Sequence, residues 1–201
     1  KRPFILHYNF PGYTVGEAKR PSGPGRREVG HGSLARRALL EVMPDKTSWP
    51  YTTRVVADIT ESNGSSSMAT VCGGCLALMS AGVALSAPVA GVAMGLVSDG
   101  NQTAILTDII GEEDHLGDMD FKVAGTARGI TALQLDNKLG SLPTELLTQA
   151  LGQAREARLH ILEAMNPALE TLGQPGSQSQ GRHVSFRINS SRIGAVVGTG
   201  G

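Results

Sequence analysis

The feature that most constrains the fold is a short segment in which charged and apolar residues alternate. Five carboxylates lie within residues 112–120, and Lys122 follows them closely. If residues 118–124 form a β-strand, successive side chains point to opposite faces, so Asp118 and Asp120 share one face with the lysine. The other face carries three apolar residues, Met119, Phe121 and Val123. The segment therefore predicts a strand with one face in a core and one charged face at a site.

The charged face also predicts a chemistry. Carboxylates this close repel one another unless a cation or a proton lies between them. A Mg²⁺ ion held by one or two carboxylates and by substrate phosphates would relieve that repulsion. Lys122 could then stabilise negative charge developing on a phosphoryl group. A solvated acidic turn has the same composition, and the segment by itself leaves that interpretation open.

Length and charge narrow the class of protein. A chain of 201 residues can bury a core and suits one domain, with room for a small second one. Residues 1–37 hold eight Lys or Arg against two Glu, whereas residues 98–120 are acidic with no Lys or Arg. This asymmetry favours a polyanionic substrate. No apolar run reaches the roughly 18 residues of a membrane span, and no signal peptide opens the sequence. A cytoplasmic protein without a membrane partner is expected.

Two cysteines, Cys72 and Cys75, form a lone Cys-x-x-Cys pair. Such a pair is typical of a redox centre or of half a zinc site, but the sequence shows no second ligand pair. Both lie in the small-residue run 67–79, which predicts a buried helix, and free cysteine is commonly buried. Structural packing is the favoured interpretation.

Hydrophobic periodicity predicts alternating strands and helices. Strands are predicted at residues 2–10, 52–59, 88–97, 104–109 and 130–138, the third and fourth joined as a hairpin by Asp99-Gly100-Asn101. Helices are predicted from a Ser33 cap to Met43, from the serine turn to Met79, and from Pro143 to an interruption at Asn166-Pro167. The last helix should lie across the sheet. The chain begins without Met, and its first strand has no obvious partner nearby, so an excerpt of a longer polypeptide is expected.

Two segments are candidates for binding anions. Residues 19–31, rich in Pro and Gly, are predicted to be a loop that presents Arg26 and Arg27, and adjacent arginines suit bidentate contacts with phosphates. Residues 61–68 form a Gly and Ser turn at a helix N-terminus, where N–H groups, hydroxyls and the helix dipole favour an anion. The turn lacks the Gly-Lys-Ser/Thr ending of a nucleoside triphosphate loop. A solvated charged face and a set of helix-capping serines are the simpler interpretations.

The C-terminal residues predict a separate unit. Residues 173–182, rich in Gln, Ser and Gly, are typical of a flexible linker. A short strand at 184–188 and a short helix at 190–197 are predicted next, followed by Gly198-Thr199-Gly200-Gly201. This order resembles the opening of a KH domain, whose Gly-x-x-Gly loop clamps single-stranded RNA. A glycine C-cap explains the same residues.

Three segments together resemble the bacterial polynucleotide phosphorylase (polyribonucleotide nucleotidyltransferase) family. They are residues 25–32 around the arginines, 61–69 around the serines and 114–125 around the carboxylates. The resemblance covers essentially the whole chain. It implies an α/β (α+β) fold, a ribonuclease-PH-like core of the ribosomal-S5-domain-2-like type with a truncated KH segment. The implied domains are 1–139, the second core domain without its N-terminal part; 140–172, the C-terminal helix of the core; 173–182, the linker; and 183–201, the start of the KH domain.

The resemblance also implies roles for single residues. The catalytic positions fall on Asp114, Asp120 and Lys122, and both aspartates are implied ligands of Mg²⁺, for which Mn²⁺ can substitute. Asp118 is left a supporting role, although strand alternation favoured it beside Asp120. The phosphate-binding positions fall on Ser65, Ser66 and Ser67, and the RNA-binding positions on Arg26, Arg27, His31, Gly198 and Gly201. The family's helix usually carries Ser or Ala where this chain has Cys75, which further weakens the metal interpretation of the cysteines.

The implied activity is processive 3′ to 5′ phosphorolysis of RNA in mRNA degradation. It releases nucleoside diphosphates and is reversible as template-free polymerisation. The implied partners are the 3′ end of single-stranded RNA, inorganic phosphate, two further copies in a homotrimeric ring, and RNA-degradosome proteins. A non-catalytic RNA-binding or ring-forming subunit is one alternative, which the intact carboxylates, lysine and serines argue against. A hydrolytic two-metal nuclease is another, and it would not need phosphate.

Overall fold

A computed structural model describes residues 3–18, 20, 23–100, 102–172, 184 and 186–200. Helices and strands alternate along most of this part of the chain. In chain order they are β1 Phe4–Asn9, α1 Arg26–Leu40, β2 Thr53–Asp58, α2 Ser66–Ser80, β3 Ala90–Ser98, β4 Thr103–Thr107, α3 Gly111–Leu116, β5 Met119–Gly125, β6 Ile130–Asn137, α4 Thr144–Leu172 and α5 Ile193–Val197.

The strands form two sheets. β1 and β2 pair in parallel, with Phe4 opposite Thr53 and Asn9 opposite Asp58. The other four strands form an antiparallel sheet in the order β4-β3-β5-β6. The predicted hairpin is confirmed, and Gly100 takes a left-handed φ of 91° in its turn. The other predicted strands up to residue 138 are also confirmed, within one to two residues at each end.

β5 lies in the middle of the larger sheet, and both of its faces are covered. Met119, Phe121 and Val123 are at most 2% exposed and pack in one apolar cluster with Ala150 and Ala154 of α4. This confirms the predicted apolar face. Helix α4 lies across β3, β4 and β5, as expected from its periodicity. A second cluster joins α1 and α2 to the opposite side of the sheet through Leu39, Val71, Cys75, Ala93 and Ala124.

Helix α1 begins earlier than the sequence predicted. The loop expected at residues 19–31 ends at Arg26, where the helix starts, and Ser33 lies inside the helix instead of capping it. The reason is Glu28, whose carboxylate accepts hydrogen bonds from the Gly25 N–H at 2.7 Å and from the Phe10 N–H at 2.9 Å. A glutamate at the third helical position is a favourable N-terminal capping group. The helix also ends at Leu40, short of the predicted Met43.

Helix α4 ends later than predicted. The Asn166-Pro167 pair was expected to interrupt the helix, but the helix continues to Leu172. A proline removes one backbone hydrogen bond from a helix interior. Leu162 and Met165 before it are buried, and Leu169 after it packs against the same core cluster. Packing on both sides of Pro167 therefore keeps the chain helical.

The cysteines of α2 contribute to packing. Cys75 is fully buried in the second cluster, and its sulfur accepts a hydrogen bond from the Val89 N–H at 3.3 Å. The Cys72 thiol donates to the Gly91 carbonyl at 3.9 Å. Burial raises the pKa of both thiols above their ordinary value, which makes them less reactive. The packing interpretation is confirmed for Cys75.

The last described residues, 184 and 186–200, contain a short 3-10 turn and the helix α5. Val184 and residues 186–189 show no strand where one was predicted, and a short 3-10 turn then leads into α5. Gly198 ends α5 with a left-handed φ of 77°. The predicted linker at 173–182 and Gly201 lie outside the described residues. Within the described ranges, no helix combines the length and the apolar character of a membrane span.

We expect Glu28→Ala to destabilise the fold by about 1 kcal/mol, as loss of a helix cap typically does. The two N–H donors hold the pKa of Glu28 below its ordinary 4.5. This stabilisation is therefore present above pH 4.5 and is lost as the pH falls through the lower folded pKa. Urea unfolding of wild type and variant at pH 7 and at pH 3 measures it. The difference should shrink at pH 3, and Glu163→Ala, an exposed change on α4, should show no such difference at either pH.

Candidate active site

A cleft of about 280 Å³ opens where β5, β6, α1 and α3 meet the N-terminal end of α2. The lining includes residues of the arginine segment 25–32, the serine segment 61–69 and the carboxylate segment 114–125, together with residues of β6. The lining residues are Arg27, His31, Gly64, Ser65, Ala93, Ile109, Asp114, Asp120, Lys122, Gln134, Asp136 and Lys138.

A buried ion pair forms the floor of the cleft. Asp120 and Lys122 lie on the same face of β5, each is 6% exposed, and the Lys122 ammonium donates to Asp120 Oδ2. Burial raises the pKa of Asp120 above its ordinary value, while Lys122 opposes that rise. The second carboxylate oxygen, Oδ1, is buried without a hydrogen-bond partner among the described residues. A buried oxygen of this kind is costly unless a cation or donor reaches it.

A further carboxylate, that of Asp136, lies beside this pair and was not predicted. The β5–β6 register sets Asp136 directly opposite Asp120, and Gln134 opposite Lys122. The Gln134 side-chain amide donates to Asp136 Oδ2 at 2.7 Å. The negative charge of Asp136 is a further cause of the raised pKa of Asp120. The signal was present in the sequence, because residues 134, 136 and 138 share one face of the predicted strand.

Asp114 reaches the cleft from α3, a six-residue helix with no buried residue. The Lys138 ammonium at the end of β6 donates to three carbonyls at the end of this helix: Asp114 at 2.8 Å, Gly117 at 2.9 Å and His115 at 3.1 Å. These contacts use all three hydrogens of the ammonium group. A cation at a helix C-terminus is also electrostatically favourable. Lys138 therefore holds the backbone that carries Asp114.

Asp118 has a different environment. Its Oδ2 accepts a hydrogen bond from the Ser98 N–H at 2.8 Å, and its own N–H donates to the Leu96 carbonyl at 2.7 Å. Both contacts tie it to the end of β3. Of the two aspartates that could accompany Asp120, the structure brings Asp114 into the cleft.

The three serines differ in exposure. Ser65 caps α2, accepting a hydrogen bond from the Met68 N–H at 3.4 Å, and lines the cleft. Ser66 and Ser67 are buried. The Ser66 hydroxyl lies 2.6 Å from the Tyr8 hydroxyl, and the Ser67 hydroxyl lies 3.3 Å from that of Ser65. The positive end of the α2 dipole therefore borders the cleft, with Ser65 as its accessible hydroxyl.

Helix α1 contributes a cation and an imidazole. Arg27 lies 4.9 Å above the Phe10 ring and lines the cleft, whereas the adjacent Arg26 does not line it. Burial, followed by the positive charges of Lys122 and Arg27, lowers the pKa of His31 to about 4. The imidazole is therefore neutral near pH 7, and it acts as a hydrogen-bonding group. Gly198 is not among the cleft-lining residues.

The donor set of the cleft fits a Mg²⁺ ion. Asp114 and Asp120 both line the cleft, and Asp120 Oδ1 has no partner among the described residues. Those residues contain no cluster of three or more His, Cys, Asp or Glu side chains arranged to hold a metal. Mg²⁺ commonly uses one or two carboxylates and completes its octahedron with water and substrate phosphates. Two aspartates are enough for that kind of binding.

The fold matches a solved structure. Rice (Oryza sativa) Rrp46 superposes with a TM-score of 0.68 over 84% of this chain and 75% of that chain, at 15% sequence identity. This likeness shows a shared fold. It confirms the predicted α/β core. The ribonuclease-PH-like type follows from the family models that match the chain.

Curated relatives are similar over nearly the whole chain. Proteins named polyribonucleotide nucleotidyltransferase are 56% identical over 201 residues in Rhodospirillum centenum, 60% over 198 in Thermus thermophilus and 58% over 198 in Legionella pneumophila. These alignments cover 100%, 98% and 98% of this chain. The chain itself spans 28%, 28% and 27% of the length of those relatives.

Two family models match the chain in succession. Residues 1–84 match domain 1 of the 3′ exoribonuclease family, and residues 87–157 match its domain 2. The first match contains the arginine and serine segments of the cleft, and the second contains its carboxylates and Lys122. The chain belongs to the 3′ exoribonuclease family.

Proposed function

We propose that the chain carries the catalytic site of a phosphate-dependent 3′ to 5′ exoribonuclease. It releases nucleoside diphosphates from RNA in mRNA degradation and runs in reverse as a template-free polymerase. The observation that carries the proposal is the convergence, in one cleft, of an anion-binding helix end at Ser65, a buried ammonium at Lys122 and an unpartnered carboxylate oxygen at Asp120. The names of the curated relatives support the same activity.

The reaction requires the protein to position its substrates and to stabilise charge, but not to activate a nucleophile. An oxygen of inorganic phosphate attacks the phosphorus of the last phosphodiester, the bond from that phosphorus to the preceding 3′ oxygen breaks, and the 3′ oxygen takes a proton. The terminal nucleotide leaves as a diphosphate. Because phosphate is already an anionic nucleophile, no strong general base is required. The protein has to hold two anions together and stabilise the charge that builds up between them.

The cleft residues supply these functions. The Ser65 hydroxyl and the backbone N–H groups of its turn hold the attacking phosphate at the positive end of α2. The Lys122 ammonium stabilises charge on the transferred phosphoryl group. Asp114 and Asp120 would hold Mg²⁺, or Mn²⁺ in its place, and the ion would supply neutralisation of phosphate charge. Arg27, which lines the cleft, and the adjacent Arg26, which does not, both hold the RNA backbone.

The wider setting extends beyond this chain. We propose that the complete protein forms a homotrimeric ring in the cytoplasm, binds single-stranded RNA at its 3′ end, and works with other proteins of RNA decay. Residues 183–201 begin a KH domain in this proposal, with Gly198 and Gly201 in its RNA-binding loop. Residues 1–37 are basic, and residues 98–120, which include Asp114 and Asp120 of the cleft, are acidic. This asymmetry of charge supports a polyanionic substrate.

RNA decay by the complete protein should depend on inorganic phosphate and should yield nucleoside diphosphates. The oriented donors at Ser65 favour an oxyanion as the nucleophile, whereas water would need activation. Labelled RNA is incubated with Mg²⁺, with and without phosphate, and the products are separated. Monophosphates formed equally fast in both reactions would show hydrolysis instead. Absence of any product with the folded, complete protein would favour the non-catalytic alternative.

Ser65→Ala should raise the KM for phosphate about tenfold, because it removes one hydrogen bond to a charged ligand, which is worth about 1.5 kcal/mol. RNA affinity should stay within about twofold, since the arginines still bind the polymer. Ser80→Ala, at the opposite end of α2, is the matched control and should leave both constants unchanged. A KM for phosphate that is the same in wild type and Ser65→Ala would remove Ser65 from the phosphate site.

Asp120→Asn should lower turnover at least about 100-fold, the order of loss expected when transition-state stabilisation is removed. It should leave RNA binding nearly intact. The matched control is Asp118→Asn, because Asp118 comes immediately before the same strand and its carboxylate bonds Ser98 outside the cleft. Asp120→Asn also leaves the buried Lys122 without its partner, so thermal unfolding is measured beside activity. A folded variant with wild-type turnover would contradict the metal and catalytic assignment.

A further inference from the structure

Tyr8 lies near the end of β1 and contacts two segments that border the cleft: the serine turn at the start of α2, through Ser66, and helix α1, through His31. It is 4% exposed, and its ring packs edge-on against the His31 ring, with centroids 5.4 Å apart and planes at 76°. Its hydroxyl lies 2.6 Å from Ser66 Oγ and 3.3 Å from His31 Nδ1. Tyr8 therefore links the serine turn to this histidine.

The surroundings of Tyr8 fix its position. Its ring stacks at 6.3 Å on Phe10, the residue that Arg27 covers, and β1 is paired along its length with β2. On the other side, a Cβ at Gly32 would lie 3.2 Å from Tyr8 Cβ, so the glycine lets α1 approach the strand closely. The Tyr8 ring is therefore held in place, and its hydroxyl stays next to Ser66 and His31.

The hydroxyl has one hydrogen and two neighbours, which limits the arrangements of protons. A phenol is a stronger donor than an aliphatic hydroxyl, and an imidazole nitrogen is a stronger acceptor than a hydroxyl oxygen. The best arrangement has Tyr8 donating to His31 Nδ1 and Ser66 donating to the Tyr8 oxygen. Burial raises the pKa of Tyr8 and lowers that of His31, so the phenol keeps its hydrogen and the imidazole stays neutral near pH 7.

We propose that Tyr8 is a positioning residue that locks His31 in the Nε2–H tautomer and ties it to the serine turn. His31 lines the cleft with Nδ1 engaged by Tyr8, so Nε2 is the ring nitrogen left for a ligand. With its hydrogen on Nε2, the imidazole offers phosphate a neutral donor beside Ser65. The binding of phosphate by His31 rests on the proposed function, whereas the assignment of the His31 tautomer does not.

The first test reads the tautomer directly. The complete protein is labelled with ¹⁵N and ¹³C in histidine, and the His31 signals are assigned by their loss in His31→Asn. Wild type should show Nε2–H, whereas Tyr8→Phe, which keeps the ring and removes the hydroxyl, should show both tautomers in exchange. Tyr13→Phe removes the hydroxyl of a tyrosine that is 64% exposed and should match wild type. A wild-type Nδ1–H tautomer, or unchanged signals in Tyr8→Phe, would overturn the proposal.

The second test measures how Tyr8 affects the KM for phosphate. Tyr8→Phe should raise the KM for phosphate about fivefold while kcat changes less than about twofold, a split that general loss of structure would not produce. The double variant Tyr8→Phe/Ser66→Ala should be no worse than the more affected single variant, because both changes break one hydrogen-bonded chain. Fully additive losses would mean that the two hydroxyls act independently.

The outcomes separate this inference from the proposed function. If wild type needs phosphate but Tyr8→Phe has a wild-type KM, the inference fails and the proposed function stands. If wild type shows no phosphate dependence, the proposed function fails, and the tautomer measurement still decides the link between Tyr8 and His31. Should Tyr8→Phe not fold, the wild-type tautomer alone decides, since Nδ1–H is incompatible with donation from Tyr8.

Discussion

The cleft depends on a charged pair buried in the middle strand of a sheet. Removing an ammonium and a carboxylate from water costs several kcal/mol per ion, and their mutual attraction offsets that cost only when the geometry is good. Asp120 and Lys122 lie two residues apart on β5, so the pleat alone brings them to one face. The apolar residues between and beside them are held by α4 on the other face. Because apolar residues of similar volume often stabilise a fold at least as well as a buried ion pair, stability alone does not explain this pair.

Parallel pairing of β1 and β2 explains why distant segments meet at the cleft. Parallel strands end at the same edge of a sheet, and the last pair in register is Asn9 with Asp58. The residues that follow β1 include Phe10, which contacts Arg27 and bonds Glu28. The residues that follow β2 lead into the serine turn. This pair of six-residue strands therefore brings α1, which carries Arg27, and the N-terminal end of α2 to one side of the molecule.

Features that depend on local pattern were predictable from the sequence, and features that depend on tertiary contacts were not. The alternation of residues 118–124 predicted both faces of β5, and the serine turn predicted the start of α2. The start of α1 was missed because Glu28 is held in part by the N–H of Phe10, which follows β1 and lies 18 residues away in the chain. Asp136 was missed because its position opposite Asp120 requires the β5–β6 register. Tyr8 was missed because Ser66 is 58 residues away in the chain.

The two aspartates of the proposed metal site differ in how firmly the fold holds them. Asp120 lies on a strand that is buried along its whole length, so its amide hydrogens exchange with solvent only when the sheet opens. Asp114 lies on α3, which buries no residue of its own and is held at its C-terminal end by Lys138. The Gly111 N–H at the other end donates to Asn63 Oδ1 at 3.3 Å, and none of these hydrogen bonds involves a residue of either core cluster. The proposed metal site would therefore combine a carboxylate from a buried strand with one from a short helix whose local opening leaves both core clusters in place.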